Sequence, residues 1–188
     1  MHDFVATLDS AVQSLITNLP LLFGFLAGLW IIHFLNYLSK YRLNYLGIIP
    51  RNPVGLPGII FSPFLHSNLT HLIMNSIMLF VLSAMLLIDG RTIYFEVSAY
   101  IILISGLLIW LFGRPGLHIG ASSLVMGYFG YLLINGISHP SLISIVIAFI
   151  CIYYFGGMFI NLFPREKRVS WEGHVFGFVA GVVTSFLI

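Results

Sequence analysis

The sequence predicts an all-α, polytopic membrane protein: six transmembrane helices in one bundle, with a partly embedded first loop. Two observations carry that expectation. Hydrophobic residues make up 59% of the 188 and charged residues only 7%, with a mean hydropathy of +1.02, whereas a soluble domain carries about 25% charged residues. Too little charge remains to solvate a globule of this size, so the lipid bilayer is the partner of most of the surface. Apolar runs near the roughly 20 residues that cross a bilayer core of about 30 Å also recur six times.

The runs are residues 21–38, 69–88, 93–112, 121–135, 142–163 and 171–188. Turn and charge punctuation separates them: Asp89-Gly90-Arg91, Gly113-Arg114-Pro115-Gly116, Ser138-His139-Pro140, and the stretch from Pro164 to Arg168. Ahead of Pro20, Phe4, Leu8, Val12, Leu15 and Ile16 recur at helical spacing. That pattern predicts a short interfacial helix over residues 1–19 rather than a span. Residues 40–68 hold Pro50, Pro53, Pro57 and Pro63 yet stay apolar, as expected of a structured loop set partly into the membrane interface. Length and continuity predict a single domain over residues 1–188. No basic n-region or small-residue cleavage site opens the chain, so no removable signal peptide is expected.

Several function classes are set aside at this stage. The net charge is +2 with scattered basic residues, which predicts no nucleic-acid partner. Cys151 is the only cysteine, excluding an intrachain disulfide and leaving a lipid-facing or core-filling role. A haem or metal carrier built on His66, His71, His118 and His174 is the rival from another class. The sequence has no H-E-x-x-H string and no cysteine cluster, so the expected metal and cofactor are none. Nothing in the sequence assigns an oligomeric state.

The fourth run is short, about 23 Å at 1.5 Å per residue. Its start at Gly120-Ala121-Ser122-Ser123 would then lie inside the bilayer zone, where irregular backbone is tolerated only if protein buries it or water reaches it. Polar residues within spans are functional candidates by default. His71 and Asn75 are four residues apart, share a helix face, and both can donate hydrogen bonds. Ser122 opens its helix, where unpaired N–H groups and the dipole favour negative charge. That arrangement suits an oxyanion hole beside a hydroxyl nucleophile, with His174 as the base. The alternative for His71 and Asn75 is an interhelical hydrogen-bonding pair. His33 and Asn36 suit packing or cavity lining, and His66 and His118 lie in loops on the serine side.

None of the six acids, Asp3, Asp9, Asp89, Glu96, Glu166 and Glu172, lies mid-span. Glu172 is two residues from His174, about 200° around a helix. A Ser–His dyad without an acid is therefore expected. Gly173, Gly177 and Gly181 form a smooth stripe, matched by Ser123, Gly127 and Gly130. Small-residue stripes let two membrane helices approach closely, which would bring Ser122 and His174 together.

Taken in order, these pieces resemble the rhomboid intramembrane proteases, in their six-span bacterial form, over nearly the whole chain. His66-Ser67-Asn68-Leu69-Thr70-His71-Leu72-Ile73-Met74-Asn75 is similar to the family's second-span motif. Gly120-Ala121-Ser122-Ser123 is similar to its G-x-S-G nucleophile motif, and Gly173-His174 with Gly177 and Gly181 resembles its catalytic-histidine helix. The resemblance implies a serine endopeptidase acting on transmembrane protein substrates in a bacterial inner membrane. Ser122 and His174 would be catalytic, His71, Asn75 and the Ser122 N–H oxyanion-stabilising, and His66, Gly120, Ser123 and Met126 supporting. A catalytically inactive relative that binds transmembrane helices is the alternative.

Three departures accompany the likeness. Ser123 replaces the motif's last glycine, Met126 stands where some relatives place a tyrosine, and Tyr41-Arg42 is at best a loose counterpart of the first-loop Trp-Arg pair. Orientation divides the two lines of reasoning. Seven of the basic residues fall on the serine side and only Arg91 on the other, which by the positive-inside rule turns that side to the cytoplasm. The resemblance implies the opposite.

Overall fold

The computed structural model describes residues 2–157 and 171–188. Among these the chain is all-helical: α1 His2–Leu38, α2 Gly58–Phe61, α3 Leu69–Leu86, α4 Arg91–Phe112, α5 Ser122–Ser138, α6 Leu142–Phe155 and α7 Trp171–Thr184. Val5–Leu38, Leu69–Asp89 and Arg91–Phe112 are long and apolar enough, by length and composition, to cross a membrane. With the composition given above, this is an integral membrane protein. Helices α3 and α6 begin at the expected residues, and α7 is described from Trp171. The expected end of the fifth run, residues 158–163, lies outside the described residues.

Local chemistry explains the helix starts. The Asn68 side chain accepts the His71 N–H at 2.8 Å and caps α3. Ser141 and Ser144 form a reciprocal capping box at the start of α6. Gly90, at φ 100°, turns the chain into α4.

The N-terminal reading needs correction. Residues before Pro20 do not form a separate interfacial helix, because α1 runs unbroken through Pro20. At 1.5 Å per residue its 37 residues extend roughly 55 Å, well beyond a bilayer core. Proline is tolerated in a membrane helix when neighbours support the segment. Here the end of α3 and the start of α4 do so. Ser14 Oγ donates to the Leu87 carbonyl at 3.0 Å, Arg91 Nε to Asn18 Oδ1 at 2.5 Å, and Arg91 Nη2 to the Thr17 carbonyl at 3.2 Å.

Helix α5 lies at the centre. Every residue from Ser123 to Leu133 is buried, the signature of a helix enclosed on all sides. It also ends three residues later than expected, at Ser138. Its most extensive partner is α7, and the small-residue stripes meet as expected. A Cβ placed on Gly181 would lie 1.9 Å from the Gly127 carbonyl oxygen, and one on Gly130 would lie 2.6 Å from that of Phe178. Cys151 is fully buried, its Sγ 3.8 Å from Met85 Sδ. It fills core rather than facing lipid.

The loop over residues 39–68 is ordered by short turns at Arg42–Leu46, Pro53–Gly55, Gly58–Phe61 and Ser62–Phe64. Asn36, fully buried on α1, pins its start by donating to Asn44 Oδ1 at 2.8 Å and accepting the Leu43 N–H at 3.1 Å. His33 packs edge-on to Tyr41. These contacts give both residues the packing role.

Arg51 was not singled out in the sequence, yet it holds the loop to α4. Its Nη1 donates to the Leu111 and Gly113 carbonyls at 3.0 and 2.8 Å, and its backbone N–H to the Trp110 carbonyl at 2.8 Å. A cation on the last carbonyls of a helix also complements the dipole. Arg51→Ala should destabilise the protein by about 1–2 kcal/mol, read as a lower thermal midpoint in detergent. Arg42→Ala, whose guanidinium has no hydrogen bond among the described residues, should leave it in place. Equal effects from the two would refute this assignment.

Candidate active site

The segment leading into α5 is held on two sides by the first loop. Ile48 and His118 exchange backbone hydrogen bonds of 3.0 and 2.9 Å, and the Gly120 N–H donates to the Ser62 carbonyl at 2.9 Å. Gly120 then adopts φ +118°, a conformation L side chains rarely take. A Cβ there would lie 2.5 Å from His71 Cε1 and 2.7 Å from Nε2. Glycine thus lets the His71 ring lie directly on the backbone two residues before Ser122.

Ser122 is the first residue of α5 and is partly exposed. Ser123, next to it, is only 7% exposed. A Cβ on Gly177 would lie 2.2 Å from the Ser123 carbonyl oxygen and 2.7 Å from its Cα. The first turn of α5 therefore rests on α7, one turn from His174, which shares a face with Gly177. His174 is itself partly exposed and lies within electrostatic reach of His71. Elements α3, α5 and α7 thus bring His71, Ser122 and His174 to one end of the bundle.

The supporting residues divide. Asn75 is buried one turn along α3 from His71, and its Nδ2 meets no acceptor among the described residues. An unpaired buried amide donor is costly unless something it can bind arrives there. His66 is fully buried, its ring edge-on to His71 with centroids 5.1 Å apart. Burial, helped by the neighbouring His71 and His33, pushes its pKa down to about 3, so it stays neutral. Met126 is buried among the core side chains. His118 is buried too, its Nε2 donating to the Arg114 carbonyl at 2.9 Å. Tyr41, with φ 61°, introduces the turn at Arg42–Leu46 and packs edge-on to His33 and Tyr37.

Three contributors escaped sequence reasoning. Ser67 Oγ shares a hydrogen bond of 3.3 Å with His71 Nδ1, and its i, i+4 spacing was the available signal. Ser62, whose carbonyl fixes Gly120, carried none. Glu172, dismissed as an acid facing His174, is buried and ion-paired to Arg114. Among the described residues no group of three or more His, Cys, Asp or Glu is placed to hold a metal ion.

Comparison with known proteins adds the family. An uncharacterized protein of Mycobacterium tuberculosis is 36% identical over 173 residues, covering 87% of this chain and 72% of its own length. A Mycobacterium bovis protein matches with the same figures. A Mycobacterium leprae protein is 31% identical over 173 residues, covering 87% of this chain and 68% of its own. The family model described as Rhomboid domain matches residues 55–188, a span that includes His66, His71, Asn75, Gly120, Ser122 and His174, and the chain belongs to the rhomboid family.

Proposed function

We propose that this protein is an intramembrane serine endopeptidase that cleaves peptide bonds in or near the transmembrane segments of membrane-protein substrates. One observation carries the reading. The His71 ring lies on Gly120 while α7 rests on the backbone of Ser123, so an accessible serine at a helix start stands between two histidine-bearing helices. Ser122 Oγ attacks the scissile carbonyl, His174 takes its proton and returns it to the amine as the C–N bond breaks, and a water activated by the same histidine then hydrolyses the acyl-Ser122 ester. The first-turn N–H of Ser122 and the side chains of His71 and Asn75 stabilise the oxyanion. The Asn75 amide, which meets no acceptor among the described residues, suits that task.

In this reading the chain is one domain with six spans, counting α5, α6 and α7 with the three long helices. Tyr45, Val54, Ile60 and Phe61 stand exposed on the first loop, which supports partial embedding in the interface. The short α5 spans little lipid because other helices surround it. Bacterial relatives support a cell-membrane location, with the site opening outward as the family resemblance implies. A substrate helix hides its carbonyls in its own hydrogen bonds, so segments rich in weak helix formers such as Gly are favoured.

The test is covalent labelling of purified protein with a fluorophosphonate, mapped by mass spectrometry, beside cleavage of a single-span reporter. Label on Ser122 together with cleavage is the expected result. Label on Ser123 would reassign the nucleophile. A protein that takes no label and cuts nothing, yet retains the reporter helix on co-purification, would favour the inactive, helix-binding alternative.

A further inference from the structure

We propose that Glu172 is a positioning residue, which with Arg114 latches the first turn of α7 to the loop that delivers Ser122. This deepens the protease reading and rests on it.

Glu172 is 2% exposed, and a carboxylate so enclosed is stable only when paired and hydrogen-bonded. Among the described residues, its side chain is held by its own backbone N–H and by one residue 58 positions away. Arg114 Nε donates to Glu172 Oε1, Arg114 Nη2 to Oε2 at 3.1 Å, and the Arg114 backbone N–H to Oε1 at 3.3 Å. The pair is bidentate, the geometry that adds direction as well as strength. The same guanidinium lies 5.8 Å from the ring centroid of Trp171, so two successive residues of α7 meet one side chain.

The latch continues toward the serine. The Arg114 carbonyl accepts from His118 Nε2 at 2.9 Å, and His118 is locked to Ile48 by two backbone hydrogen bonds. Gly120, two residues on, is fixed by Ser62. From the other direction, Gly177 holds α7 against Ser123. His174 therefore lies between two fixed points, residues 172 and 177, both tied to the segment that carries Ser122. Glu172 cannot act as the acid of a triad, because both its oxygens are engaged by Arg114 and it projects to a different face from His174. It acts through Arg114. Loss of the latch would leave the first turn of α7, which carries His174, held to this segment by the Gly177 contact alone. A displacement of about 1 Å between reacting groups can cost on the order of 100-fold in rate.

The test uses the full chain in detergent, comparing wild type with Glu172→Gln, Arg114→Ala and Arg114→Lys. Fluorophosphonate labelling is followed as a function of probe concentration, and hydrogen–deuterium exchange is followed over residues 171–181. Glu172→Gln and Arg114→Ala should lower the maximal labelling rate by about tenfold or more and leave the half-saturating probe concentration unchanged. Exchange in the first turn of α7 should rise in both, and Arg114→Lys should recover part of each effect. Faster exchange with an unchanged labelling rate would overturn the proposal, leaving a merely structural ion pair. Unchanged exchange with unchanged labelling would also overturn it. A wild-type protein that takes no probe, while both variants still exchange faster, would bring down the protease reading and leave the latch standing.

Discussion

Alanine at Ser122 and alanine at His174 are each expected to abolish cleavage of a single-span reporter, and the double variant to lose no more than either alone. Nucleophile and base act as one unit. An unactivated serine is no better than a missing one, so single losses on the order of 10⁵–10⁶-fold do not multiply. Ser123→Ala should cut close to the wild-type rate, because the Ser123 hydroxyl is carried by a buried residue whose backbone is pressed against Gly177. His71→Ala or Asn75→Ala should lose less, roughly 10²–10³-fold, the typical contribution of one oxyanion donor. Initial rates with purified variants decide the matter. Ser122→Ala cutting at the wild-type rate, or His174→Ala retaining most activity, would remove the dyad.

Gly181→Ala and Gly177→Ala are expected to give the largest losses of any change outside the dyad and its oxyanion donors. At Gly181 the added methyl would lie 1.9 Å from the Gly127 carbonyl oxygen and 2.8 Å from the Tyr131 nitrogen. At Gly177 it would lie 2.2 Å from the Ser123 carbonyl oxygen. These neighbours are backbone atoms of a buried helix, which cannot rotate aside as a side chain would. The helices must separate, at a cost of about 3 kcal/mol, the upper range for overpacking. The two sites should differ in kind. Gly177 lies one turn from His174, so its substitution should reduce cleavage more than its loss of stability explains. Gly181 lies two turns away and should act mainly through stability. Gly24→Ala, where the new methyl meets nothing within 4 Å, should be neutral or slightly stabilising by reducing unfolded-state freedom. Thermal midpoints measured beside cleavage rates separate these outcomes. A Gly181→Ala protein with wild-type midpoint and rate would show that α5 and α7 do not pack as closely as described.

The parts of this protein that sequence reading reached share one property: the informative residues lie within a turn or two of one another. Apolar runs located α3, α4, α6 and α7 because hydropathy and helix periodicity repeat every few residues. The i, i+4 spacing of His71 and Asn75 fixed their common face without knowledge of any other element. The four-residue recurrence of Gly173, Gly177 and Gly181 marked a surface for close approach, and α5 proved to be what approaches it.

What escaped was set by partners far away in the chain. Pro20 reads as a boundary by itself, and α1 passes through it with the α3–α4 connection, some 70 residues on, braced against it. Arg51 looked like one of several scattered basic residues until the end of α4, about 60 residues later, came within its reach. Glu172 was judged by its neighbour two residues away, although its environment is made by Arg114, 58 positions earlier. Local periodicity and motif order thus determined the class of the molecule, most of its helices and the cast of candidate residues. Which helix is central, which glycine contacts hold α7 to it and which charges are consumed by pairing were decided only by the folded bundle. Burial, helix contact and ion pairing depend on distance in space, and separation along the chain does not encode that distance.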